Sequence, residues 1–279
     1  MITYNPKEIS VPKMHGLLLD AVAPRPIAFA STIDKEGNVN LSPFSFFNVF
    51  SANPPIMIFS PARRGRDNTT KHTYENVLEV PEVVINIVNY DIVHQASLAS
   101  CEYPKGVNEF VKSGLTEEKS VLVKPPRVKE SPVAFECKVN QVIPLGSEGA
   151  AGNLVICEVL LMHVHETVMN DQGRIDPWKL DAVARMGQDY YCRAQGENIF
   201  AVPKPGDKVK IGIDQLPEAI RKSKLFSVRD LAILANIERL PFDGTPPQSL
   251  ADELKQALAK EKLDRGDSES AWKILVSKN

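Results

Sequence analysis

Five segments rich in β-branched and apolar residues, each bounded by Gly, Pro or Asn, do most to limit how this chain folds. They are residues 26–33 (PIAFASTI), 55–60 (PIMIFS), 82–89 (EVVINIVN), 133–142 (VAFECKVNQV) and 153–165 (NLVICEVLLMHVH). That composition and punctuation belong to strands. In the fourth segment Val133, Phe135, Cys137 and Val139 alternate with polar Glu136 and Lys138, the period of a half-buried strand. Residues 34–38 (DKEGN) supply a turn after the first segment. Short helices are expected at 91–100 and 107–113, the second closed by Gly114. Strands joined by such uneven connections argue for a barrel or sandwich rather than for alternating βα units.

Past about residue 205 the period becomes helical. Ser227, with Asp230 three residues on, makes an N-terminal cap ahead of Leu231, Leu234, Ala235 and Ile237. Ser249 and Asp252 repeat the device ahead of Leu254, Leu258 and Leu263, and Gly266 supplies a stop. The chain is therefore divided into a β-rich domain, residues 1–205, and a helical C-terminal extension, residues 206–279. So short an extension is a poor independent folder and is expected to pack on the barrel or on a partner subunit.

Residues 40–48, NLSPFSFFN, mix two serines and two asparagines with three phenylalanines and a proline. A core strand would alternate more regularly and omit Pro43; a surface loop would not carry Phe44, Phe46 and Phe47 together. The mixture suits a flat amphipathic ligand, with hydroxyls and backbone N–H groups on one edge and apolar groups over the ring. A turn carrying core aromatics fits the same residues.

Composition removes other classes. A formal net charge of −2 and a pI near 6.2 leave no nucleic-acid footprint. The basic run 63–66 (RRGR) reads as a solvated loop at least as well as a phosphate contact. No apolar stretch reaches the ~20 residues that span a bilayer, and the N-terminus lacks a signal-peptide pattern. Four scattered cysteines without a C-x-x-C pair favour a reduced, cytoplasmic setting over a disulfide framework. Cys101 reads as a packing residue rather than a redox thiol. His163 and His165 share one face of the expected strand but lack a third ligand, so no metal is assigned. No G-x-G-x-x-G or Walker motif is present, which argues against a Rossmann domain.

The segment sits in a longer pattern: PRPIAFAST at 24–32, G-x-x-NLSPFSFFN at 37–48, NPP at 53–55, Phe59-Ser60, and KHT at 71–73 followed by Asn76. PKGV-x-EF at 104–110, PPRV-x-ESP at 125–132, and ID…VARMG at 175–187 continue it. In order and spacing these motifs closely resemble the flavin reductase-like family of FMN-binding split barrels, over residues ~20–200. The family often has Lys-Asp-Thr where this chain has Lys71-His72-Thr73.

The resemblance implies a six-stranded antiparallel barrel of Greek-key type, a homodimer, and one FMN held near the shared interface. It implies that Thr32 and Asn40 border the flavin, and that Ser42, Pro43, Phe44, Ser45, Phe46, Phe47 and Asn48 contact the ring and ribityl chain. Ser60, Lys71 and Thr73 are expected at the phosphate, whose two charges call for a lysine and hydroxyl donors. His163 is expected to approach the partner's flavin, and Arg185 and Gly187 to close over the ligand. The implied activity is reduction of flavin by NADH or NADPH through hydride transfer to N5, so no catalytic acid or base is assigned. Two other readings use the same residues: an electron carrier exchanging electrons with a redox protein partner, and a non-catalytic flavin-binding dimer.

Overall fold

The computed structural model describes residues 1–277; residues 278–279, the end of the expected extension, lie outside the described residues. The chain divides into one compact unit, Met1–Ile199, and a second that begins at Phe200.

The first unit opens with α1 (Val11–Ala21), β1 (Ala28–Ile33), β2 (Val39–Phe44), β3 (Phe47–Ala52), β4 (Pro55–Phe59) and α2 (His72–Glu79). It continues through β5 (Glu82–Ile87), α3 (Val93–Leu98), α4 (Glu109–Ser113), β6 (Glu117–Glu118), β7 (Arg127–Val128), β8 (Val133–Pro144) and β9 (Asn153–Val164). It ends in α5 (Pro177–Leu180), β10 (Val183–Arg185) and β11 (Tyr191–Arg193). The five apolar segments become β1, β4, β5, β8 and β9. They belong to one antiparallel sheet in the order β2-β1-β5-β8-β9-β4-β3.

That sheet has seven strands where the resemblance implies six, and residues 40–48 supply parts of two of them, β2 and β3. The expectation that Pro43 keeps this segment out of a strand is corrected. Pro43 lies in β2 opposite Phe29, and β2 is an edge strand, where a missing N–H leaves no ladder bond broken on the open side. The chain then crosses at Ser45-Phe46 into β3, the other edge. The sheet curls on itself: the rings of Phe44 on edge strand β2 and Phe59 on β4, the strand next to the opposite edge, lie 5.5 Å apart. The result is a split barrel.

Its interior holds Ala28, Ala30, Phe59, Ile85, Cys137 and Val155, all at 0% exposure. The alternate residues of β1 point outward, where Phe29 packs with Leu41, Ile92, Phe110 and Leu115 beneath α3 and α4. Both faces of β1 are therefore covered, and all six of its residues are buried. Such a strand shows little alternation in sequence. Gly114, at φ +70°, ends α4 in the left-handed conformation expected there.

The second unit contains α6 (Glu218–Arg221), α7 (Val228–Ala235), α8 (Glu253–Asp264) and α9 (Ser268–Val276). It has a core of its own, with Ile220, Leu234, Leu263 and Leu275 fully buried. Trp272 donates its indole N–H to the Leu234 carbonyl at 3.0 Å. Ser227 and Asp230 form the reciprocal capping box on α7. The second expected cap moves: Asp252, not Ser249, caps α8 by accepting from the Leu254 and Lys255 amides. Ser249 lies in a 3₁₀ turn and donates to the Leu275 carbonyl at 2.8 Å. Replacing Ser227 with alanine removes one half of a box and is expected to lower the stability of this unit by about 1 kcal/mol. Urea unfolding followed through Trp272 in a Trp178→Phe background measures it; an unchanged midpoint would exclude the cap as a stabilising element.

Candidate functional site

A cleft of about 790 Å³ opens where the chain crosses from one sheet edge to the other. Volumes of roughly 300–1,000 Å³ are typical of small-molecule sites. One wall is α1, which presents Val11, His15 and Leu19 at four-residue spacing, one helical face. Ser10 caps this helix and Pro12 lies in its first turn, both ordinary helix-start chemistry. Opposite it runs Ser42 to Phe46, and the Phe46 ring meets His15 edge-on at 6.3 Å. The remaining end is cationic: Arg63, Arg64, Arg66 and Lys71, with Ser60 beside them.

Arg25 locks this arrangement from behind. It is 6% exposed, and its guanidinium donates to the carbonyls of Leu19, Val22 (2.6 Å) and Met186 (2.8 Å) and to Ser45 Oγ (3.3 Å). The carbonyls of Leu19 and Val22 belong to the C-terminal end of α1, where a cation is favoured. One side chain thus ties the helical wall, the 186 loop and the crossing segment together. Because Ser45 Oγ accepts from Arg25, its own hydrogen remains available to a ligand.

At the cationic end Arg64 is only 13% exposed, and it also donates to Thr69 Oγ1 (3.0 Å) and the Thr70 carbonyl. Reading 63–66 as a solvated loop is therefore corrected for Arg63 and Arg64; Arg63 donates to Asn68 Oδ1 and the Asn68 carbonyl, both at 2.6 Å. The carboxylate of Glu102 lies among Arg64 (3.0 Å), Arg66 and Lys71 (3.4 Å). Burial pulls against its charge, but the hydrogen bond from Arg64 and the charge of Lys71 outweigh it and hold the carboxyl below its usual range. Beside this end His72 is pushed down by burial, with Glu75 opposing and Arg64 adding. Glu109, 4% exposed, accepts from the Leu41 amide at 2.9 Å, and burial pushes its carboxyl up.

Of the residues singled out in the sequence, Ser42, Pro43, Phe44, Ser45, Phe46, Ser60 and Lys71 line the cleft. Asn40 and Thr73 form an adjoining recess, where Asn40 Nδ2 donates to Thr73 Oγ1 at 2.8 Å. Thr32 is fully buried and accepts from Asn76 Nδ2 at 3.1 Å; Phe47 packs against the barrel interior; Asn48 is exposed on β3. None of these three lines the cleft. Arg185 lies over the Tyr191 ring at 4.7 Å and lines a second cleft of about 510 Å³, which shares Pro43, Ser45 and Ser100 with the first. Gly187 packs so closely on α1 that an added Cβ would stand 3.1 Å from Asp20 Cα. His163 is tied to Glu136 at 2.7 Å, while His165 lies past the end of β9 and pairs with Thr167. Among the described residues no group of three or more His, Cys, Asp or Glu side chains is placed to hold a metal ion. The four cysteines are free, and burial pushes the Cys137 thiol up to about 12.

Sequence reading missed α1, Arg25 and Glu102. The helix had a signal in Ser10, Pro12 and the 11-15-19 spacing. Arg25 lies inside the PRPIAFAST motif but shows no role there, and Glu102 had no signal, since its partners lie 31 to 38 residues away.

The fold defines a split-barrel protein, with a cleft that is aromatic along Pro43–Phe46 and cationic at Arg63, Arg64, Arg66 and Lys71. A family model, the flavin reductase like domain, matches residues 21–179. A relative of uncharacterised function from Aquifex aeolicus (strain VF5) is 39% identical over 191 residues, covering 68% of this chain and 95% of its own. Nitrilotriacetate monooxygenase component B from Bacillus cereus superposes with a TM-score of 0.67 at 31% identity, covering 72% of this chain and 98% of that one. A split-barrel-domain protein of Shewanella frigidimarina NCIMB 400 superposes with a TM-score of 0.61 at 27% identity, over 73% of this chain and 100% of that one. The chain belongs to the flavin reductase like domain family. A flavin nucleotide fits the donor set: an aromatic ring for the Pro43–Phe46 side and a phosphate for the arginines. Among the described residues no helix is long and apolar enough to cross a membrane.

Proposed function

We propose that the protein is an FMN-dependent oxidoreductase that takes hydride from NADH or NADPH, working as a homodimer in the cytoplasm. The observation that carries the reading is the polarity of the cleft, aromatic at Pro43–Phe46 and cationic at Arg64, Arg66 and Lys71. When bound, FMN supplies the hydride and electron chemistry. The protein's part is to bind and orient. Lys71, Arg64 and Ser60 hold the phosphate, with Asn40 and Thr73 bracing the neighbouring recess. Ser42 and Ser45 offer hydroxyl donors, while Phe44, Phe46 and His15 exclude water from the ring. Thr32, Phe47 and Asn48 act at one remove, by supporting β1 and β3.

The second cleft supports a small-molecule donor over a purely protein partner, because it shares a wall with the first and carries Arg185 and Tyr191. Homodimer formation is supported by β3, an edge strand that leaves Val49 and Phe50 more than 60% exposed. The Bacillus cereus relative is one component of a monooxygenase, which supports a role in supplying electrons to another protein.

The reading is tested by mixing the purified protein with FMN and then adding NADH or NADPH anaerobically. Bleaching of the flavin absorbance is expected. Flavin that bleaches only with dithionite would point to the carrier instead, and failure to bind FMN would end both readings. Lys71→Ala is expected to weaken FMN by about tenfold, the scale of one charged hydrogen bond, and to leave riboflavin unchanged. Titration by flavin fluorescence measures both; equal losses would remove Lys71 from the phosphate end.

A further inference from the structure

We propose that Glu102 is a built-in competitor for the phosphate end of the cleft: its carboxylate occupies the donors of Arg64, Arg66 and Lys71 and must yield them when a phosphate binds. The inference rests on the flavin reading for the identity of the ligand, but its core is an anion exchange that inorganic phosphate also reports.

The geometry is that of an occupied anion site. Arg64 Nε donates to Glu102 Oε1 at 3.0 Å, Lys71 Nζ stands 3.4 Å from the same oxygen, and Arg66 donates to Oε2. All four residues line the same cleft. The donors therefore face the ligand space and the carboxylate at once. Among the described residues, the side-chain hydrogen bonds of Glu102 all come from these three cations. The side chain is 34% exposed, so it has room to leave. A partly exposed carboxylate is a weak ligand compared with a phosphate, which carries more charge and three acceptor oxygens.

Arg64 is otherwise set by fixed partners, Thr69 and the Thr70 carbonyl. It does not need Glu102 to hold its position. The carboxylate thus adds little to the architecture of the loop while opposing the arrival of a second anion. Two anions sharing one donor shell repel.

The consequence is a site tuned for exchange. Without Glu102, Arg64 and Lys71 would lose their carboxylate while Arg66 kept Asp67 at 3.2 Å, and the cluster would hold a phosphate more strongly. With it, the phosphate gains only the difference between two ion-pairing arrangements, and a departing ligand is replaced by an anion already tethered to the chain. Glu102 is a specificity and exchange residue and takes no part in electron transfer.

The test compares the full-length protein with Glu102→Gln and Glu102→Asp. Glutamine keeps the shape and removes the charge; aspartate keeps the charge. Glu102→Gln is expected to bind FMN about tenfold more tightly, to release it more slowly in stopped flow, and to leave riboflavin unchanged. Inorganic phosphate, read by its displacement of FMN or by thermal stabilisation, is expected to bind the glutamine variant more tightly as well. The aspartate variant is expected to stay near wild type. Unchanged or weaker binding of FMN and phosphate by Glu102→Gln would overturn the proposal and make Glu102 an organiser of the cations. If no variant binds FMN, the flavin reading fails, and the phosphate arm alone then decides the competition.

Discussion

Replacing Arg25 with methionine is expected to cost the first unit about 3–5 kcal/mol, a large share of the stability of an ordinary domain. The side chain is almost wholly buried, and methionine roughly keeps its length while removing every donor. The carbonyls of Leu19, Val22 and Met186 and the hydroxyl of Ser45 then lose the one buried cation that joins them. Those of the four that water cannot reach cost about 1–3 kcal/mol each when unpaired. Burial and the nearby charge of Arg185 already work against the Arg25 cation, with Asp20 opposing, so the hydrogen bonds are what retain it. Lysine is expected to rescue little, because one ammonium cannot reach four acceptors spread around a planar fork. Urea unfolding of the three proteins gives the comparison, and FMN titration gives a second readout, since α1 and Ser45 are both loosened. A loss below about 1 kcal/mol would show that the carbonyls find other partners.

Glu136→Gln is expected to be nearly as damaging, about 3 kcal/mol. This carboxylate has 0% exposure and sits inside the sheet region facing four donors. Oε1 accepts from the Val121 amide and pairs with His163, each at 2.7 Å; Oε2 accepts from the amides of Leu122 at 2.5 Å and Val123 at 3.2 Å. A glutamine NH₂ at the Oε2 position meets the Leu122 and Val123 amides donor against donor, and at the Oε1 position it meets the Val121 amide in the same way. Burial alone would raise the carboxyl, but the three backbone N–H groups and His163 together place it below its usual range. The sign of the pH effect follows. With the folded value depressed, the stabilisation is complete above the unfolded carboxylate value, about 4.3, and is lost as pH falls through the lower folded value. Wild type should therefore lose stability in acid more steeply than Glu136→Gln, and parallel pH profiles would rule out the buried carboxylate as the source.

The strands were legible because β-branched runs between breakers admit few alternatives, and β8 announced itself by alternation. Helix α7 was legible through Ser227 and Asp230, which act within one turn. What was not legible depends on groups distant in sequence. Pro43 argued locally against a strand, yet β2 is an edge, and only the strand order makes Pro43 acceptable there. Ser249 looked like a cap, but Asp252 lies nearer the helix start and took the role. In the candidate site, the aromatic–polar character of residues 40–48 pointed to the crossing segment, whereas Phe47 within it, and Thr32, which the family resemblance implied, turned inward. His163 looked available on a strand face; a carboxylate from the neighbouring strand holds it. Arg25 lay inside a recognised motif, but its ties to Ser45 and Met186, 20 and 161 residues away, left no local mark.

Both open edges of the sheet, β2 and β3, come from one continuous run, Val39 to Ala52, and the cleft lies at the crossing between them. In many enzymes loops vary freely over a fixed scaffold, so selection can rework recognition while leaving the scaffold alone. Here the crossing has only two residues, Ser45 and Phe46, between the last of one edge and the first of the other. Lengthening it would shift the register of both margins together. Evolutionary change in what this pocket accepts is thereby channelled away from the crossing and toward the separately tethered pieces around it: the first helix, the arginine loop and the segment bearing Glu102.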